Sequence, residues 1–335
     1  MRKELGMLVA LFVLCGIIQL SNSDFSRVSN IENVTRQIAM LGTFAIGVSF
    51  VIITGGIDLS VGSIIGLSGV IIAWLSAPAT ESGLTSGMGL PIWVGISVAM
   101  AVALFIGLVQ GLLITQLNLQ PFIVTLGGML LFRGVAQTIT GGGNISFGTS
   151  SFRDLGDAGV PIGGVELPYP MLIFLAVAVL ASYLLHFTVF GRHVYAIGGN
   201  REAARYSGVP VRRVETLTYV ISAGLAGLAG IPYAAYIGQM SHTVGQAYEL
   251  NAIAAAVLGG CSLRGGEGMV FGVAIGSAII CVLENGINLF KIGDWRLDEN
   301  WRYVIIGTVI LGAVILDQGA HFVQDRRRRR RMRGT

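Results

Sequence analysis

Apolar runs of about 17–25 residues recur along almost the whole chain, separated by short polar or glycine-rich breaks, beginning with ELGMLVALFVLCGIIQL at 4–20. Dividing the chain at polar, Gly and Pro breaks gives ten candidate spans, near 4–20, 38–54, 61–77, 91–116, 121–140, 168–188, 214–233, 247–262, 268–286 and 301–317. The fourth is long enough to tilt or be interrupted, and the eighth carries the weakest signal. This pattern predicts an all-α polytopic membrane protein with about ten transmembrane helices. The first run follows Arg2 and Lys3, as a signal peptide would, but the SNSDF after it lacks a small-x-small cleavage site, so an uncleaved first span is expected.

Composition agrees. The chain is 53% hydrophobic and 12% charged, against a usual charged share of about 25%, which leaves too little polar surface for a soluble protein of 335 residues. Its 48 glycines suit close helix packing in lipid. Cys15, Cys261 and Cys281 lie in or beside apolar stretches without CxxC spacing, and His186, His193, His242 and His321 form no ligand pattern. Neither a metal site nor a nucleic-acid partner is expected.

Charge orients the spans. With the N-terminus inside, 15 Lys and Arg fall on the inner face and 6 on the outer, with Arg133 left within the fifth span. Both termini are then cytoplasmic. The expected organisation is a first span and outer connection (1–37), a first-half bundle (38–190), a cytoplasmic coupling loop (191–213), a second-half bundle (214–317) and a basic tail (318–335).

One break is unusual. TGGIDLSVGS (54–63) places three glycines and a carboxylate between two strongly apolar stretches. In this topology it is a cytoplasm-directed turn, with Asp58 as N-cap of the third helix. The alternative is a broken-helix turn lining a solute path. A similar frame returns at 259–266: GGIDLSVG and GGCSLRGG share G-G-x-[DS]-L-x-x-G, each between apolar stretches and each on the same side. Two related halves in parallel orientation are therefore expected.

The longest inner polar loop, FGRHVYAIGGNREAARYSGVPVRRVET (190–216), encodes its own short helix. Asn200 caps REAARYS, Glu202, Ala203 and Ala204 favour helix, Gly208 ends it and Pro210 follows as a stop. Its exposed side has too little apolar surface for lipid anchoring, which favours docking to a cytoplasmic partner.

The EAA-xxx-G pattern of Glu202, Ala203, Ala204 and Gly208 resembles the cytoplasmic loop signature of permease subunits in bacterial binding-protein-dependent ABC importers. GGIDLSVGS, TLGGMLLFRG (125–134), YAIGGNREAARYSGV (195–209) and YELNAIAAAVLGGCSLRGGEG (248–268) resemble the ribose/galactose/xylose branch more closely. The likeness runs from about 38 to 316; the segment 79–90 and the arginines 326–333 find no counterpart. It implies a monosaccharide permease in the bacterial inner membrane, paired with a second copy or close paralogue. A periplasmic binding protein would deliver the sugar. A separate ATPase, carrying ATP and Mg, would dock on Asn200, Glu202, Ala203, Ala204, Arg205, Gly208 and Pro210. The chain has no GxxxxGK[ST] motif and is expected to need no cofactor of its own.

Polar residues within or near spans are candidates for the translocation path: Asp58, Arg133, Asn251, Glu284 and Asn285, with Asn118, Gln120 and Asn288 behind them. The dull reading of Arg133 is a structural pair with Asp58 or Glu284, or snorkelling. The long Gly-rich segment 141–170 faces outward and is a candidate contact for the binding protein, through Phe152 and Arg153. The competing function is an ion-coupled secondary transporter using Asp58 or Glu284, which leaves the EAA-xxx-G loop without a purpose. No catalytic motif supports an enzyme.

Overall fold

The computed structural model describes residues 2–78, 87–148, 150–292 and 295–296, with a few isolated positions between 301 and 312. Most of the expected tenth span (301–317), the basic tail and most of the segment 79–90 lie outside the described residues.

Twelve helices account for most of the described chain: α1 (Arg2–Ser21), α2 (Val28–Ile53), α3 (Val61–Ser76), α4 (Ile92–Gln116), α5 (Pro121–Thr140), α6 (Asp154–Asp157), α7 (Tyr169–Phe187), α8 (Val189–Gly199), α9 (Arg201–Tyr206), α10 (Val211–Ile237), α11 (Tyr248–Leu258) and α12 (Val270–Leu289). Six of them, α2, α4, α5, α7, α10 and α12, are long and apolar enough to cross a membrane. Shorter apolar helices lie at Leu5–Ser21, Val61–Ser76 and Tyr248–Leu258. The chain is an all-α polytopic membrane protein.

Helix α2 is central. Every residue from Ala39 to Ile53 is buried, because α7, α10, α11 and α12 all pack around it. Helix α10 crosses α2, α3 and α4. It approaches α4 so closely that a methyl group on Gly111 would lie 2.9 Å from the Thr216 Cα. Such close approach replaces the hydrophobic driving force that lipid removes. Helix α5 starts with Pro121 at its first turn and ends on Gly141 at φ 58°, the expected start and stop signals.

The first nine spans expected from hydropathy have helices at their positions, with three corrections. Helix α2 begins at Val28, ten residues before the expected 38, so much of the outer connection is helical. Helix α11 has 11 residues, about 16 Å at 1.5 Å per residue, roughly half of a hydrocarbon core of about 30 Å. The eighth span is thus a half-length helix: residues 259–262 leave it as a turn. The loop at 190–216 holds two helices, α8 and α9, where one was expected.

The segment 141–170 is also more ordered in form than a plain glycine-rich loop. Strand β1 (Ile145–Ser146) pairs antiparallel with β4 (Gln239–Met240), and β2 (Gly159–Ile162) with β3 (Val165–Pro168). Phe152 is buried with its ring centroid 4.9 Å from that of Phe147, so it is not available as an outward contact. Arg153 remains partly exposed, 3.9 Å from Asp157.

Candidate functional site

The two glycine turns meet. The Gly266 N–H donates to the Ile53 carbonyl oxygen at 2.8 Å, and Gly265 lies against both Gly198 and the Gly55 nitrogen. Helices α2 and α11 end alike. Gly55 and Gly260 adopt φ of 84° and 87°, and the next amides, of Gly56 and Cys261, reach back to the Val51 and Ala256 carbonyls, each at 2.9 Å. This is the Schellman ending, in which a left-handed residue frees the chain to turn while capping the last carbonyls. A side chain then bonds the amide two residues on in both turns: Asp58 to Ser60 at 3.0 Å, and Ser262 to Arg264 at 3.3 Å. The glycines that turn the chain are 205 positions apart and the side chains 204, so the second turn is shorter by one residue between them.

Helix α8 runs into this junction. A methyl group on Gly198 would collide with the Ile53 carbonyl and the Gly266 amide. Tyr195 donates its phenol to the Gly268 carbonyl at 2.7 Å, and burial pushes that phenol up to about 12, so it stays a donor at neutral pH. Asn200 then serves both helices. Its amide caps the end of α8 on Ala196, and its Oδ1 accepts from the Ala203 N–H at 2.9 Å to start α9. At the other end Gly208, at φ 84°, lets the Val209 amide return to the Ala204 carbonyl. Pro210 stands immediately before α10.

Only Ala204 of α9 is buried; Glu202, Ala203, Arg205 and Tyr206 face outward. The helix is held by Arg201, whose Nε and Nη2 donate to the two Glu215 carboxylate oxygens at 2.7 and 3.0 Å. This two-pronged charge-assisted pair fixes orientation as well as distance. Glu215 sits on the first turns of α10, largely buried. Asn118, Gln120 and Pro121, from the α4–α5 turn, line a cleft with the Arg201–Glu215 pair and with Gly55.

Asp58 is fully buried, but it is not the cap of α3. The capping position belongs to Ser60. Asp58 instead gathers donors from two directions: the Ser60 hydroxyl at 2.6 Å on Oδ1, and the Ser222 hydroxyl of α10 at 2.8 Å on Oδ2. Gln110 of α4 lies 3.1 Å from the Ser60 hydroxyl. The carboxylate therefore joins the first glycine turn to α10 and α4.

The remaining candidates separate. Arg133 pairs with neither Asp58 nor Glu284: its guanidinium donates to the His242 carbonyl at 3.4 Å, and the Glu249 carboxylate is near enough to act on it electrostatically. Asn285 exchanges two amide hydrogen bonds with Asn30, at 2.7 and 3.1 Å, tying α12 to the start of α2. Asn251 donates to Glu284 at 3.0 Å, and both line a cavity of about 190 Å³ among α2, α10, α11 and α12. Phe44, Tyr233, Tyr236 and Tyr248 complete much of its wall, and Asn288 lies at its edge.

Comparison with known proteins adds identity to this geometry. Residues 30–314 match the family model described as "Branched-chain amino acid transport system / permease component". The ribose import permease protein RbsC of Bacillus subtilis (strain 168) is 39% identical over 317 residues, covering 94% of this chain and 93% of that protein. The galactose/methyl galactoside import permease protein MglC of Salmonella typhimurium is 35% identical, over 94% of each. The xylose transport system permease protein XylH of Haemophilus influenzae is 32% identical, over 93% of this chain and 95% of that one. The chain belongs to the sugar ABC importer permease family. No solved structure matches it. The broad family description names amino acids, but the near full-length relatives named here are sugar permeases.

For a sugar permease, four features escaped the sequence reading. Glu215, Ser222 and Gln110 are polar residues inside apolar spans, and that signal was available for all three. Glu249 is the fourth: buried in the first turn of α11, its Oε2 has no hydrogen-bond partner among the described residues.

Proposed function

We propose that this permease forms the membrane pathway of a bacterial ABC importer for a neutral monosaccharide, in the inner membrane with both termini cytoplasmic. A second copy of the chain completes the pathway. A periplasmic binding protein delivers the sugar, and a separate ATP- and Mg-binding subunit docks on α9. The glycine turns near 54–63 and 259–266 are equivalent elements of two related halves.

The observation that carries this reading is the clamping of α9. A six-residue helix is far below the length at which helices hold themselves together. Asn200, Gly208 and the Arg201–Glu215 pair fix it nonetheless, with its charged and aromatic side chains outward. Such an arrangement suits reception of force from a partner, and its base adjoins the glycine junction. An ion-coupled carrier has no use for it.

The test is uptake of labelled ribose, xylose and galactose into vesicles containing the full assembly. Uptake should require ATP and persist when ion gradients are collapsed. Uptake that continues without ATP, driven by an ion gradient, overturns the ABC reading.

A further inference from the structure

The cavity among α2, α10, α11 and α12 has a chemistry unlike its surroundings. A second cavity, of about 330 Å³, is lined by Phe50, Leu104, Leu180, Leu184 and other apolar side chains, as suits a lipid-filled gap between helices. The first, at about 190 Å³, carries aromatic rings beside amides and a carboxylate. The lining, not the size, sets the first apart.

The lining suits a polyhydroxylated ring. Tyr248 stacks parallel to Phe44 with centroids 6.1 Å apart, and it meets Tyr233 edge-on, their hydroxyls bonded to each other. Flat aromatic surface takes the C–H faces of a sugar, and the phenols supply polar tips. Asn251 has two N–H donors and a carbonyl acceptor, and its bond to Glu284 occupies one donor. That bond also orients the carboxylate beside the rings. Asn288 is exposed and lines the cavity together with Gln37 of α2. Among the described residues no Lys or Arg lines the cavity, which disfavours an anionic solute.

Position along the helices agrees. Cys281 to Asn288 stand 11–18 residues beyond the start of α12, roughly 16–27 Å along the axis from the glycine junction. The cavity thus lies in the half of the bundle remote from α9. In the proposed orientation that half is the outer one.

We infer that this cavity is a monosaccharide subsite within each permease chain, held by Asn251 and Asn288 against the Tyr233–Tyr248 wall and occupied between release from the binding protein and passage inward. The inference rests on the sugar-permease reading above.

The test is initial uptake of ribose, xylose and galactose by the reconstituted assembly, with binding-protein-stimulated ATP hydrolysis measured in parallel. Asn251→Ala and Asn288→Ala should each raise the KM for uptake by roughly tenfold, the effect of about one lost hydrogen bond, while stimulated hydrolysis persists. Leu180→Ala, in the apolar cavity, should behave as the wild type. Wild-type uptake with unchanged KM in both asparagine variants overturns the subsite and leaves the permease reading intact. No wild-type uptake of any of the three sugars overturns the sugar reading and the subsite with it. If the alanine variants fail to accumulate in the membrane, Asn288→Cys decides. Its labelling by an impermeant maleimide, above the wild-type background, should be slowed by the transported sugar and not by a disaccharide. Equal labelling with and without the sugar overturns the proposal.

Discussion

Gly266 hangs on Ile53: its amide donates to the last carbonyl of α2 at 2.8 Å, and Gly198 of α8 fills the space beside that bond. The end of α2, the turn before α12 and the end of α8 therefore meet backbone to backbone. The link from α8 to both turns runs through backbone atoms and not through flexible side chains.

A side chain at Gly198 should break that contact. Gly198→Val places methyl groups where the Ile53 carbonyl and Gly266 amide now sit, and overpacking of this kind costs about 1–3 kcal/mol. Thermal unfolding in detergent should show a lower midpoint, and uptake should fall. Gly199→Ala, one residue on with open space around its Cα, should leave both near the wild-type values.

The Arg201–Glu215 pair sets the angle of α9. Arg201→Lys keeps the charge but loses the two-pronged geometry. The loss should be about 1 kcal/mol, small because the Arg201 side chain is 44% exposed and solvent screens the pair. Glu215→Leu should cost little more in stability, since it removes the buried carboxylate itself. Both should weaken ATPase binding in a pull-down titration. Tight, wild-type binding by both would remove the pair from any docking role.

Removing the α10 donor to Asp58 tests the buried carboxylate. Ser222→Ala leaves Oδ2 without the bond it now receives at 2.8 Å, a loss of about 1–3 kcal/mol for a buried acceptor. Unfolding measurements on Ser222→Ala, Asp58→Asn and the double variant give the coupling directly. A coupling near zero would mean the hydroxyl and carboxylate do not support each other.

Much of this was legible in local signals. The termini of α9 were readable because Asn200, Gly208 and Pro210 act on their own neighbours within a few residues. The glycine turns were readable because a break in hydropathy and a repeated frame both mark them. Asp58 was misread as a cap because its donor Ser222 is 164 positions away, and nothing in the spacing reveals which face of α10 turns toward it. The half-length of α11 was hidden for a different reason. Hydropathy counts the GGC that follows (259–261) as more span, although Gly260 adopts the left-handed conformation that ends the helix. Arg133 drew attention as a charge in a span, yet its bonded partner is a backbone carbonyl, which no residue pattern encodes.

The docking role proposed for α9 yields the last prediction. Glu202 and Arg205 are exposed and 3.9 Å apart, so their mutual attraction adds little to folding. Glu202→Lys should therefore insert and unfold like the wild type while losing co-purification with the ATPase. Gly208→Val acts differently: at φ 84° a β-branched residue is strained, so α9 should lose its fixed ending and ATPase retention together. Gly208→Asn, which tolerates that conformation better, should restore part of the retention. Full retention by Glu202→Lys and Gly208→Val together would place the ATPase contact elsewhere on the chain.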